Sequence, residues 1–183
     1  TGVLVENRDD YEQNHSSGSG SDTFIAKYPG ALGNSLKVSL VDANTYVGWT
    51  YSSSFSDSPD TSDWATAKGG TNDELHIVVV DTTGAFSGTA NTVLEKFGFV
   101  SAAVDASING ESNYYKQVVF DKSKYIYAMD PVDYSTTSAT WGTSSVNKTF
   151  AITYFNNDKL ASIYKRYGGE VVYSDNPRQF KYK

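Results

Sequence analysis

Cysteine is absent from the 183 residues, which excludes disulfides and thiolate metal sites. Histidine occurs only twice, at His15 and His76, and no H-x-x-x-H spacing exists to assemble the three or four ligands of a zinc site. There is no G-x-S-x-G elbow to anchor a Ser–His–acid hydrolase. Gly18-x-Gly20 and Gly30-x-x-Gly33 lack the following helix that a phosphate loop requires. No window is long and apolar enough for a membrane span or a signal-peptide core. Basic residues are also few. Fifteen Lys and Arg against 21 Asp and Glu leave a net charge of −6, which argues against a broad nucleic-acid surface.

Fourteen Tyr, with abundant Ser, Thr and Gly, favour β structure and loops over helical bundles. A chain of 183 residues suits one domain and should bury roughly 70% of its unfolded surface. It opens on Thr1 without an initiator Met, and so reads as a processed or excised piece. Within residues 1–183, 1–22 read as a flexible lead-in, 23–148 as the core, and 149–183 as a C-terminal part of different character. The lead-in ends in Ser16-Ser17-Gly18-Ser19-Gly20-Ser21, which has linker composition.

The chain is organised around residues 23–42, TFIAKYPGALGNSLKVSLVD. Pro29 presets φ for a turn corner, and Gly30 tolerates the positive φ that the next corner needs. Gly33 and Asn34 offer a second reversal. Tyr28, Pro29, Gly30, Gly33 and Asn34 together read as a structural double turn, with Gly30 or Gly33 at positive φ. Leu36, Val38 and Leu40 then fall on one face of a strand, and Lys37, Ser39 and Val41 on the other.

Residues 43–73 are polar, with Tyr46, Trp49, Tyr51, Phe55 and Trp64 at irregular spacing, and read as the most exposed segment. Asp57, Asp60 and Asp63 invite a calcium reading. Their spacing of three and the interruption at Pro59 do not match a D-x-[DN]-x-[DN]-G loop, so a solvated acidic loop is expected. Residues 75–81 (LHIVVVD) read as a buried strand, 82–84 as part of a long turn, and 91–99 (NTVLEKFGF) as the return strand. Residues 112–122 change to helical period, with Ser112 or Asn113 as cap, and 124–129 return to strand. Further on, 158–166 suit a short helix and 170–173 a strand, before the basic, aromatic Arg178-Gln179-Phe180-Lys181-Tyr182-Lys183. That tail reads as a charged terminus rather than a nucleic-acid contact. The fold class expected is α+β: a mostly antiparallel sheet or sandwich with two or three short helices.

Candidate catalytic groups reduce to His76, expected to be structural, and Glu95, mid-strand and expected to be salt-bridged or solvent-facing. Paired carboxylates could meet in space, but no pair is marked. No catalytic, cofactor-binding or metal-binding residue is assigned, and the chain is not read as an enzyme.

Several segments carry a resemblance in fixed order: Tyr28-Pro29-Gly30-x-x-Gly33-Asn34, the strand at 75–81, Val93-Leu94-Glu95-Lys96-Phe97, Val100-Ser101, Ser112-Asn113-Tyr114-Tyr115 and Ser123-Lys124-Tyr125-Ile126. With Thr140-Trp141-Gly142-Thr143, the series spans roughly residues 23–145. It resembles contractile bacteriophage tail sheath proteins of the T4-like myovirus branch. The resemblance implies a structural virion protein, made in the host cytoplasm, whose subunits stack in sixfold rings around a tail tube and rearrange as rigid bodies on contraction. The inner domain and terminal arms that grip the tube are not visible in this chain, so an outer domain is implied, with other sheath subunits as partners and no nucleic acid or membrane. The competing reading is a secreted or cell-surface β-rich glycan-binding module. Such a module should display a row of exposed coplanar aromatics, whereas a sheath domain should bury most of them.

Overall fold

The computed structural model describes residues 8–10, 13–14, 24–28, 30–128 and 140–150. His15, Pro29, the helix expected at 158–166, the strand expected at 170–173 and the tail at 178–183 lie outside the described residues. The elements run α1 (Arg8–Asp10), β1 (Phe24–Ala26), α2 (Gly30–Ser35), β2 (Leu36–Val41), a 3₁₀ turn (Ser52–Ser54) and α3 (Asp63–Ala67). They continue with β3 (Glu74–Asp81), β4 (Thr92–Ser101), β5 (Ser107–Ile108), β6 (Glu111–Ser112), α4 (Tyr115–Lys122) and β7 (Ile126–Ala128). Every strand pair is antiparallel, in the orders β2–β3–β4, β1–β7 and β5–β6. The architecture is α+β.

Period-two alternation decides what each face of the central sheet buries. Leu36, Val38 and Leu40 of β2, Leu75, Ile77 and Val79 of β3 and Phe97 of β4 join one large core. Ile126 of β7 and Tyr115, Val118 and Val119 of α4 complete it, with Trp141 and Phe150 closing one side. The Nε1–H of Trp141 donates to the Phe150 carbonyl at 2.8 Å, and its ring meets Tyr115 edge-on at 5.6 Å.

Simple alternation along β4 puts Val93 on the same face as Phe97 and so in the same core, and the structure departs from that expectation. A register shift between Val79 and Val80 pairs Val79 with Glu95 but Val80 with Val93. The extra residue, Leu94, faces the large core, and Val93 turns to the opposite side. There it joins Val41, Val78, Val80 and Trp49, with Tyr46, Tyr51 and Phe55 packed around them. Residues 43–55 are therefore the cover of the sheet's second face, which corrects their reading as the most exposed segment. The aromatic spacing is irregular because a loop, not a helix or strand, delivers these rings. Trp49 is anchored by donating its Nε1–H to Ser39 Oγ at 2.9 Å.

Two short elements had local signals. Ser62 caps α3 by accepting the Ala65 N–H at 3.1 Å. Asn109-Gly110, at φ +53° and +84°, forms the tight turn that an Asn-Gly pair favours between β5 and β6. The expected caps of α4 serve elsewhere. Tyr114 occupies the N-cap position, Asn113 Nδ2 donates to the Phe99 carbonyl at 2.8 Å, and Ser112 Oγ accepts the Tyr114 N–H at 3.3 Å.

Candidate functional site

The segment expected to be a double turn contains a helix. Gly30–Ser35 form α2, so Gly33 and Asn34 lie within helical backbone, where φ is negative. Gly33 is buried and Asn34 exposed. Six residues suffice to turn the chain from β1 into β2 without a left-handed glycine, and no phosphate-loop geometry results, because both glycines sit inside the helix.

The surroundings of α2 bring the separated motifs to one place. Asp81, at the end of β3, is fully buried, and its carboxylate accepts the N–H groups of Gly84, Ala85, Phe86 and Ser87 at 2.8–3.0 Å. It also accepts the hydroxyls of Ser87, at 2.9 Å, and of Ser35, at the end of α2. Burial alone would push the Asp81 carboxyl up, but the hydrogen bonds from Ser35, Ser87 and Phe86 outweigh it and hold the group well below the usual carboxylate range. Thr82 closes the arrangement, donating from N (2.6 Å) and Oγ1 (2.8 Å) to the Ser35 carbonyl. One carboxylate thus fixes the long β3–β4 loop against α2.

Over this loop stand three rings. Tyr28 meets Phe86 edge-on at 5.0 Å, Phe86 meets Tyr125 at 5.2 Å, and Tyr125 lies 6.1 Å from Tyr28. Glu95 joins β4 to the same locus, accepting the Ser123 hydroxyl and the Lys124 N–H, each at 2.7 Å. Ser123 Oγ in turn accepts the N–H groups of Tyr125 (3.1 Å) and Ile126 (3.0 Å). The backbone of Lys27 donates to the Tyr125 carbonyl at 2.8 Å, and its Nζ to the Ser123 carbonyl at 2.6 Å. Glu95 was expected to be salt-bridged or solvent-facing. It is instead a staple between β4 and the α4–β7 junction.

The remaining polar groups of note also hold loops. His76 is fully buried, stacked on Phe55 at 4.1 Å. Its Nδ1 accepts the Phe99 N–H at 3.0 Å, which leaves Nε2–H to donate to the Asp57 carbonyl at 2.9 Å. Asp73 accepts the Ser62 N–H and hydroxyl at 2.8 Å, and the Ser101 hydroxyl. Asp105 binds Ser145 N–H at 2.7 Å and the hydroxyls of Ser144 and Ser145, and these bonds override burial to lower its pKa. Of these anchors only Asp81, at the end of β3 with Ser87 six residues along, carried a local signal in the sequence; the serines that bind Asp73 and Asp105 lie 11 to 40 residues away and left none. Among the described residues no group of three His, Asp or Glu is placed to hold a metal ion. No helix among them is long and apolar enough to cross a membrane.

The chain is also similar in sequence to a known protein. The tail sheath protein of Salmonella phage ViI is 28% identical over 116 residues, covering 61% of this chain and 16% of that protein. The chain resembles a phage tail sheath protein over a segment. That segment is a small part of the relative's length. No family model matches the chain, and no solved structure matches it.

Proposed function

We propose that this chain is an outer-domain portion of a contractile phage tail sheath subunit, a structural part with no catalytic role. The observation that carries the reading is spatial: motifs separated by up to a hundred residues, each resembling sheath sequence, interlock at one junction. The similarity to a phage tail sheath protein supports it independently. In this reading the chain resides in the virion, is made in the host cytoplasm, and has other sheath subunits as partners in sixfold rings. The tail tube is gripped by other regions of the subunit. The domain moves on contraction as a rigid body, and its stiffness comes from carboxylates that pin loops and from a sheet packed on both faces. The glycan-binding alternative lacks its expected feature, since the large apolar side chains exposed among the described residues are aliphatic: Leu32, Val47, Val104, Ile108 and Val146.

Antibodies raised against the purified chain test the assignment. Gold labelling along the full length of intact phage tails is expected. Labelling confined to the capsid, the baseplate or the host cell surface would overturn it.

A further inference from the structure

The β5–β6 hairpin rests on two residue pairs, Ser107 with Ser112 and Ile108 with Glu111. Ile108, Asn109, Gly110, Glu111 and Ser112 are all exposed. Its root is fixed, because the Asn113 N–H donates to the Ala106 carbonyl at 2.8 Å. Opening of the tip therefore loses few hydrogen bonds and little buried apolar surface, and leaves the domain folded.

Two groups at the tip are chemically complementary. The side chain of Asn109 and the N–H of Gly110 have no hydrogen-bond partner among the described residues. A Cβ built on Gly110 would meet nothing within 4 Å, so the space around its nitrogen is open. A main-chain nitrogen that follows asparagine can attack the side-chain carbonyl carbon. Here the bond from Gly110 N to Asn109 Cγ forms, the Cγ–Nδ2 bond breaks, and ammonia leaves with the proton of the Gly110 nitrogen. Water then opens the cyclic imide at one or other carbonyl, leaving aspartate or isoaspartate. The left-handed turn, with φ +53° and +84°, holds the Gly110 nitrogen turned away from Cγ, so attack waits for the tip to open.

Asn147 provides the contrast. It is also exposed and left-handed, with φ +51°. The nitrogen that follows it, however, is engaged, with the Lys148 N–H donating to the Ser145 carbonyl at 3.3 Å. Lys148 also carries a side chain that crowds ring closure, whereas Gly110 carries none. Asn109-Gly110 is the single Asn-Gly pair in the sequence.

We propose that Asn109 is a site of spontaneous deamidation, gated by opening of the β5–β6 tip. The product adds a negative charge at a cleft that Asp63 and Glu74 also line. Isoaspartate routes the main chain through Cβ, and the added backbone atom breaks the register of Ile108 with Glu111.

The test incubates the full chain at neutral pH in H₂¹⁸O and maps its peptides by mass spectrometry, with isoaspartyl methyltransferase reporting isoaspartate. The Asn109 amide is expected to give way to an ¹⁸O-labelled acid at least about tenfold faster than the Asn147 amide. The rate should stay below that of a free peptide of residues 106–112, in which no turn has to open. Asn109→Gly, which suits a left-handed turn, should remove the new acidic species from the intact chain. An Asn109 amide that persists while the free peptide converts fully, or an Asn147 amide lost equally fast, overturns the proposal.

Discussion

The backbone N–H of Phe99 donates to Nδ1 of His76 at 3.0 Å, and Phe99 holds a φ of +55° where the β3–β4 register shifts between Leu75 and Ile77. An aromatic residue rarely adopts this left-handed backbone. The imidazole compensates for the ladder bond lost at the bulge and, through Asp57, ties the aromatic loop to the sheet.

That role makes His76 a source of pH dependence. Burial lowers its pKa below the ordinary histidine value, against the opposing pull of the Asp57 carbonyl. The unfolded chain titrates near about 6.5 and takes up the proton first. Stability is therefore complete above that value, falls as pH drops through it, and levels off below the folded-state pKa. Urea melts between about pH 7 and 5 should show this loss, and His76→Phe should flatten it. An unchanged slope in the variant would contradict the assignment.

The strands at 36–41, 75–81 and 91–99 and the helix ending at Lys122 were legible because their apolar phases are regular. The second core was not. Its rings at Trp49, Tyr51 and Phe55 come from a loop, where spacing carries no facing information. Val93 was misplaced because a bulge shifts phase by one residue and leaves no mark in the local pattern. Of the turn motif, Tyr28 joins the ring cluster over Asp81, but Gly33 is helical. Pro-Gly and Gly-Asn pairs favour turns, and here tertiary contacts at Ser35 select a helix instead.

Asp81→Asn should be costly, because an amide presents one acceptor where the carboxylate presents two, and its NH₂ faces backbone donors. We expect a loss of about 3 kcal/mol in denaturant melts. Since the folded-state pKa of Asp81 is depressed, its stabilisation is present above the unfolded value of about 3.9 and is lost as pH falls below it. A near-neutral variant would show that the β3–β4 loop does not depend on this carboxylate.

Glu95→Ala removes the staple at Ser123 and Lys124. The expected cost is about 2 kcal/mol, with faster hydrogen exchange at the Lys124 amide. Exchange at Lys124 equal to wild type would mean that the α4–β7 junction is held by other contacts.

Phe97 and Val93 lie on the same strand but opposite faces, so their truncations separate the two cores. Phe97→Ala, in the large core, should cost about 3–5 kcal/mol. Val93→Ala, partly buried beside Trp49, should cost about 1 kcal/mol. A near-neutral Phe97→Ala would contradict its place in the large core.

In the proposed reading, this chain is a sheath outer domain that moves without internal rearrangement. Cryo-electron microscopy of the phage tail in its extended and contracted states measures this most directly. The β2–β3–β4 sheet, with α4 and β7 on one face and residues 43–55 on the other, is expected to fit the outer shell of the sheath in both states as one unchanged body. Absence of this density from the sheath, or a sheet whose two covers separate on contraction, would contradict it.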